Sequence, residues 1–110
     1  MTDAQMDSLD DLRQRLRRFA AERDWERFHT PKNLAMSVAI EAAELMEHFQ
    51  WRTAGESASL DEASRHEVAM EAADVLLYLV RLADVVGIDL HAAAREKIGL
   101  NALKYPAPGL

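Results

Sequence analysis

The chain has 110 residues, 49% hydrophobic and 29% charged, with a formal net charge of −6 and no cysteine. One small domain spanning 1–110 is expected, disulfides and thiolate metal sites are excluded, and the acidic balance argues against a nucleic-acid polymer or an anionic membrane as partner. The opening MTDAQMDSLDDLRQ lacks the apolar core of a secretory signal, and no apolar run reaches the roughly 18 residues of a membrane span, so a cytoplasmic protein is expected.

Gly and Pro are sparse, and the long stretches without them read as four helices. The first covers about Ser8 to Arg23, with Ser8 or Asp7 as N-cap and Leu9, Leu12, Leu16 and Phe19 at helical spacing. The second begins at HTPKN, where Thr30 is a cap and Pro31 suits the first helical position, and runs to about Gln50. TAGESAS is expected to be a loop. The third helix begins near Ser59, with Asp61 and Glu62 favouring its N-terminus, and stops at Val86 before Gly87. Asp89 caps a fourth that reaches about Leu103. Residues 1–7 and 107–110 are expected to be flexible. The fold class is all-α, a compact four-helix bundle. VLLYLV, residues 75–80, is apolar on every side, and a helix of that kind is covered on every side. Three other short helices provide too little cover, so completion by a second copy of the chain is expected.

Two carboxylate pairs interrupt these apolar helices. IEAAELMEHFQW carries Glu41 and Glu44, and MEAADVLLYLV carries Glu71 and Asp74. Residues three apart share a helix face, so two packed helices can converge four acids on one point. Such acids repel one another and are costly to desolvate, a cost that a hard divalent cation relieves. All-oxygen ligands favour Mg²⁺ or Mn²⁺. Either pair alone reads as a solvated face. Their shared apolar setting, and an aspartate inside a helix, move the balance to a metal site. Glu47 and Glu67, one turn away, are open between further ligand and surface. A diiron bundle needs Glu-x-x-His within its helices, and Glu26–His29 lies outside them.

ExxE followed by ExxD resembles the signature of the all-α nucleoside triphosphate pyrophosphohydrolases, the MazG-like superfamily. FAAERDWERFHTPKNL, ELMEHFQW, ADVLLYLVRLADVVGIDL and KIGLNALKYP are similar to its dCTP pyrophosphatase branch, from about Leu12 to Pro106. The branch often has Gly inside the first motif; here Ala42 and Ala43 stand between the glutamates, and the connecting loop is short.

The resemblance implies a MazG-like bundle, commonly a dimer of dimers, and a Mg²⁺-dependent enzyme. Its reaction cleaves dCTP or a modified dCTP between the α and β phosphates, giving the monophosphate and pyrophosphate and so cleaning the nucleotide pool. It implies Glu41, Glu44, Glu71 and Asp74 as metal ligands and catalytic residues. Lys97, Asn101 and Lys104 share one face of the fourth helix by spacing; the resemblance turns that basic face into a phosphate grip. Four of the seven Phe, Trp and Tyr residues, Trp25, Phe28, Phe49 and Trp51, bracket the second helix, where a base could stack. Trp25, Trp51, Tyr78 and His29 resemble the base-pocket residues of the branch, whereas Phe19, Phe28 and Phe49 read as core or interface. The competing functions are another or a broad nucleotide specificity, and a non-catalytic nucleotide-binding helical oligomer.

Overall fold

The computed structural model describes residues 8–109. The flexibility expected of residues 1–7 and 110 falls outside the described residues; 106–109 follow the last helix without regular secondary structure. The chain forms α1 (Leu9–Glu22), a 3-10 turn (Glu26–Phe28), α2 (Pro31–Glu47), α3 (Ala54–Ser57), α4 (Glu62–Val86) and α5 (Leu90–Lys104), with no strand among the described residues. The all-α class is as expected.

Local chemistry sets the helix ends. Ser8 Oγ accepts from Asp11 N at 3.0 Å and Thr30 Oγ1 from Asn33 N at 3.1 Å, each satisfying a donor that the first turn leaves free. Asp61, expected inside the first turn of α4, is its N-cap instead, accepting from Ser64 N at 2.7 Å. Gly87 ends α4 with φ +83°, a left-handed conformation that glycine adopts without strain. Asp24 also has positive φ, at 55°, and bends the chain out of α1 so that Trp25 N reaches Ala20 O at 2.9 Å. Within the segment expected as loop, Thr53 and Glu56 close a capping box that starts α3. T-x-x-E was its readable signal.

α4 is the central element. α2 packs along it most extensively, and α1 packs on it near its C-terminal half. Leu34, Ala20, Val80 and Ala83 are the fully buried apolar residues among those described. α1 is also tied to α4 by charge. Asp84 receives Arg17 at 2.6 Å and Arg13 at 3.3 Å from α1, and Arg81 at 3.3 Å from its own helix. Hydrogen bonds from Arg17, and then Arg13, hold the Asp84 carboxyl below the usual carboxylate range.

In one chain the bundle is open. Its radius of gyration is 17.1 Å, against about 13 Å for a compact 110-residue domain. Its accessible surface is 8559 Å², against about 6,100 Å² for a compact monomer of this mass. α5 is the reason: every described residue past Leu90 is exposed, including Ile98, Leu100 and Leu103. Along the apolar run 75–80, only Val80 is fully buried and Leu76 is exposed.

Candidate active site

The packing of α2 along α4 brings the acid-bearing faces together. One carboxylate oxygen from each of Glu41, Glu44 and Glu71 lies within 4.8 Å of the others. Glu41 and Glu71 are half-buried and Glu44 is exposed, so the cluster has a dry side and a wet side. On the dry side, Glu41 Oε2 and Glu71 Oε1 are buried without a hydrogen-bond partner among the described residues. Ionised carboxylates only accept, so a fully charged trio offers itself no donor.

Two charge states relieve this. In the metal-free protein a proton serves: Glu41 is pushed up to about 7, first by its hydrogen bonds with Glu71 and Glu44, then by burial and their charges. The hydrogen bond from Glu41 pulls Glu71 down, but Glu44, burial and the charge of Asp74 outweigh it, and Glu71 is raised overall. The other solution is a hard cation, and the three convergent oxygen donors with two orphaned buried oxygens fit one.

This has a measurable sign. Glu41 starts from an ordinary value of 4.5 and is raised to about 7 in the fold, facing Glu71 and Glu44. The stabilisation from its proton is therefore present below the ordinary value and lost as pH rises through about 7. Burial, then the Arg81 charge, lowers the pKa of His29, which works in the opposite direction. The measurement is therefore the difference in Tm between wild type and Glu41→Gln, both metal-free. That difference is expected to move against wild type from pH 5 to 8; a constant difference would remove the shared proton.

Asp74 lies outside the trio. It is exposed, three residues beyond Glu71, and lines a neighbouring cavity of about 210 Å³. The cavity is formed where α1, the segment after it and α4 meet, and Trp25, His29 and Tyr78 share its wall with Asp74. Phe19 and Trp25 meet edge to face at 5.4 Å, and Trp25 and His29 at 6.2 Å, which fixes the aromatic wall. Phe19, read from sequence as core, lines the same cavity.

Arg81 was missed. It also lines the cavity, is 7% exposed, and donates from Nε to His29 Nδ1 at 3.1 Å. Its signal was present: an arginine inside an apolar run, seven residues after Asp74 and three after Tyr78, on the same helical stripe.

The remaining candidates stand apart in the single chain. Trp51, past the end of α2, is 88% exposed and does not line the cavity. Lys97, Asn101 and Lys104 are exposed on α5 and do not line the cavity. A larger cleft of about 760 Å³, between the start of α1 and the start of α5, contains none of the candidate residues.

The MazG-like family model matches residues 36–109. Over 102 residues the chain is 44% identical to dCTP pyrophosphatase 1 of Homo sapiens, covering 91% of this chain and 60% of that protein. Identity to dCTP pyrophosphatase 1 of Rattus norvegicus is 41% over 101 residues, covering 90% of this chain and 59% of that one. The chain thus spans about three fifths of the length of these curated relatives. The crystal structure of a pyrophosphatase from Archaeoglobus fulgidus DSM 4304 is similar with a TM-score of 0.84 and 45% identity, over 90% of this chain and 93% of that one.

Proposed function

The chain belongs to the MazG-like family, and from that premise we propose that it is a nucleoside triphosphate pyrophosphohydrolase acting on dCTP or a modified dCTP. The observation that carries this reading is the convergence of Glu41, Glu44 and Glu71 beside a cavity that Asp74 links to them. The names of the curated relatives supply the substrate class.

In this reading water attacks the α phosphorus, the bond to the bridging oxygen of the β phosphate breaks, and nucleoside monophosphate and pyrophosphate leave. Mg²⁺, or Mn²⁺, held by Glu41, Glu44 and Glu71 with Asp74 alongside, would supply positive charge opposite the triphosphate. One carboxylate of the set takes the proton of the attacking water, a role suited to groups whose pKa lies near neutrality. The cavity admits the base: its volume of about 210 Å³ is below the roughly 300 Å³ at which sites for whole ligands begin. Trp25 and Tyr78, both on the cavity wall, offer ring faces to the base; Trp51, outside that wall, takes no part in the single-chain site.

The grip on the phosphates falls to Lys97, Asn101 and Lys104. That role needs α5 packed, and the open single chain supports a homo-oligomer, a dimer or dimer of dimers, in which a second copy covers it. Residues 1–110 then act as one MazG-like domain, in the cytoplasm, with a free nucleotide rather than a nucleic-acid polymer as substrate.

The test is a product assay with Mg²⁺ and each triphosphate, including 5-methyl-dCTP. Pyrophosphate with a preference for cytosine is expected. Orthophosphate as sole product, or nucleotide binding without turnover, would overturn the reaction; pyrophosphate with another preference would overturn the substrate alone.

A further inference from the structure

We propose, resting on the reaction above, that Arg81 is a specificity-determining residue whose buried guanidinium reads the acceptor edge of cytosine in the cavity and turns away uracil and thymine.

An arginine 7% exposed must be anchored, and Arg81 is anchored twice. Nε donates to His29 Nδ1 at 3.1 Å, and Nη1 to Asp84 Oδ2 at 3.3 Å. Asp84 is in turn held by Arg17 and Arg13, so it balances the buried charge and is not available to a ligand. A guanidinium has five N–H bonds, and these contacts use two. Both N–H bonds of Nη2 lack a protein partner among the described residues, and the side chain lines the cavity. Three rigidly held donors are thus left for whatever enters.

His29 adds to the pattern. Its Nδ1 accepts from Arg81, so the neutral ring carries its proton on Nε2 and is a further donor. Asp74 is the carboxylate on this wall, an acceptor placed for the amino group of cytosine, where uracil and thymine carry a carbonyl. The wall therefore suits a ring with adjacent acceptors and an amino donor, and the cavity volume of about 210 Å³ suits a single-ring base.

Cytosine presents N3 and O2 as adjacent acceptors, and a guanidinium matches such a pair with two parallel donors. Uracil and thymine carry N–H at position 3. A donor would then face a donor, and burying that mismatch is what makes hydrogen-bonding sites selective.

The experiment compares kcat/KM for dCTP, 3-deaza-dCTP (N3 replaced by C–H) and dUTP in wild type, Arg81→Gln and Arg81→Lys, with helix content checked by circular dichroism. Wild type is expected to favour dCTP over the other two by about 10–100-fold, the range for a hydrogen bond to a charged group. Arg81→Gln is expected to lose that factor on dCTP, mainly through KM, leaving the three substrates alike. Arg81→Lys keeps charge without the two-point contact and is expected to stay unselective. Equal wild-type rates on dCTP and 3-deaza-dCTP would overturn the proposal, as would an equal fall on all three substrates in the variants. If both variants unfold, the wild-type comparison decides alone. Failure of the reaction itself appears separately, as no pyrophosphate from any triphosphate. Calorimetric binding of dCMP against dUMP to wild type and Arg81→Gln then decides: a tenfold preference for dCMP that the variant loses supports Arg81 as reader, and no preference, or one the variant keeps, overturns it.

Discussion

Glu71→Ala is expected to lower kcat by about 10³-fold, the scale on which removal of one transition-state charge stabiliser is felt, with helix content unchanged. Glu71 is the member of the trio that α4 contributes; Glu41 and Glu44 both come from α2. Its loss leaves two acids on one helix and ends the convergence between helices. The fold should tolerate this well. Without metal the three acids oppose one another, and the carboxylate being removed has a buried oxygen with no partner. Deleting an unsatisfied group while keeping the backbone is mild compared with stranding one. Pyrophosphate release and Mn²⁺ binding by calorimetry check it together. Loss of activity with Mn²⁺ affinity intact would leave Glu71 as a base rather than a ligand. Full activity would remove the trio from the mechanism.

Leu34→Ala should have the largest effect on stability, about 2–5 kcal/mol, as found when large buried aliphatic side chains are truncated. Leu34 is 1% exposed and sits in the first turn of α2, the helix that packs most extensively on α4. Few side chains are fully buried, so little else holds this pair of helices in register. Total domain stabilities are only about 5–15 kcal/mol, so the variant should be partly unfolded in mild urea. Leu34→Met, close in volume, should cost less than about 1.5 kcal/mol. Glu41 lies two turns along the same helix, so loosening α2 should also weaken the carboxylate cluster. Urea denaturation gives the first quantity and kcat the second. An unchanged midpoint would mean that the α2–α4 seam draws its stability from elsewhere.

How far the sequence discloses this molecule depends on range. Helix ends rest on neighbours three or four residues away, and Ser8, Thr30, Asp89 and Gly87 all take the roles their residue types suggest. α3 was legible too, through Thr53 and Glu56, but lay in a segment whose Gly and Ser content reads as loop. The carboxylates were visible because three-residue spacing shows on one helix. That Asp74 turns to the cavity while Glu71 turns to Glu41 was not visible, because both choices satisfy the same spacing. Arg81 was hidden for a different reason. Its partners, His29 and Asp84, lie 52 residues before it and three after it, and Asp84 in turn binds arginines 67 and 71 residues away. A pattern read in short windows assigns the arginines of α1 to solvent.

The exposure of α5 joins two equilibria. In the reading proposed above, a second copy gives α5 its covered face, and α5 gives the nucleotide its phosphate grip. An isolated helix of 15 residues has marginal order in water, so one event fixes the surface that the other requires. Free energies coupled in this way are reciprocal: whatever factor assembly adds to nucleotide affinity, nucleotide adds to the affinity of the copies for each other. Dilution and substrate scarcity then act in the same direction, and such a chain senses its own concentration through the same helix that senses triphosphate.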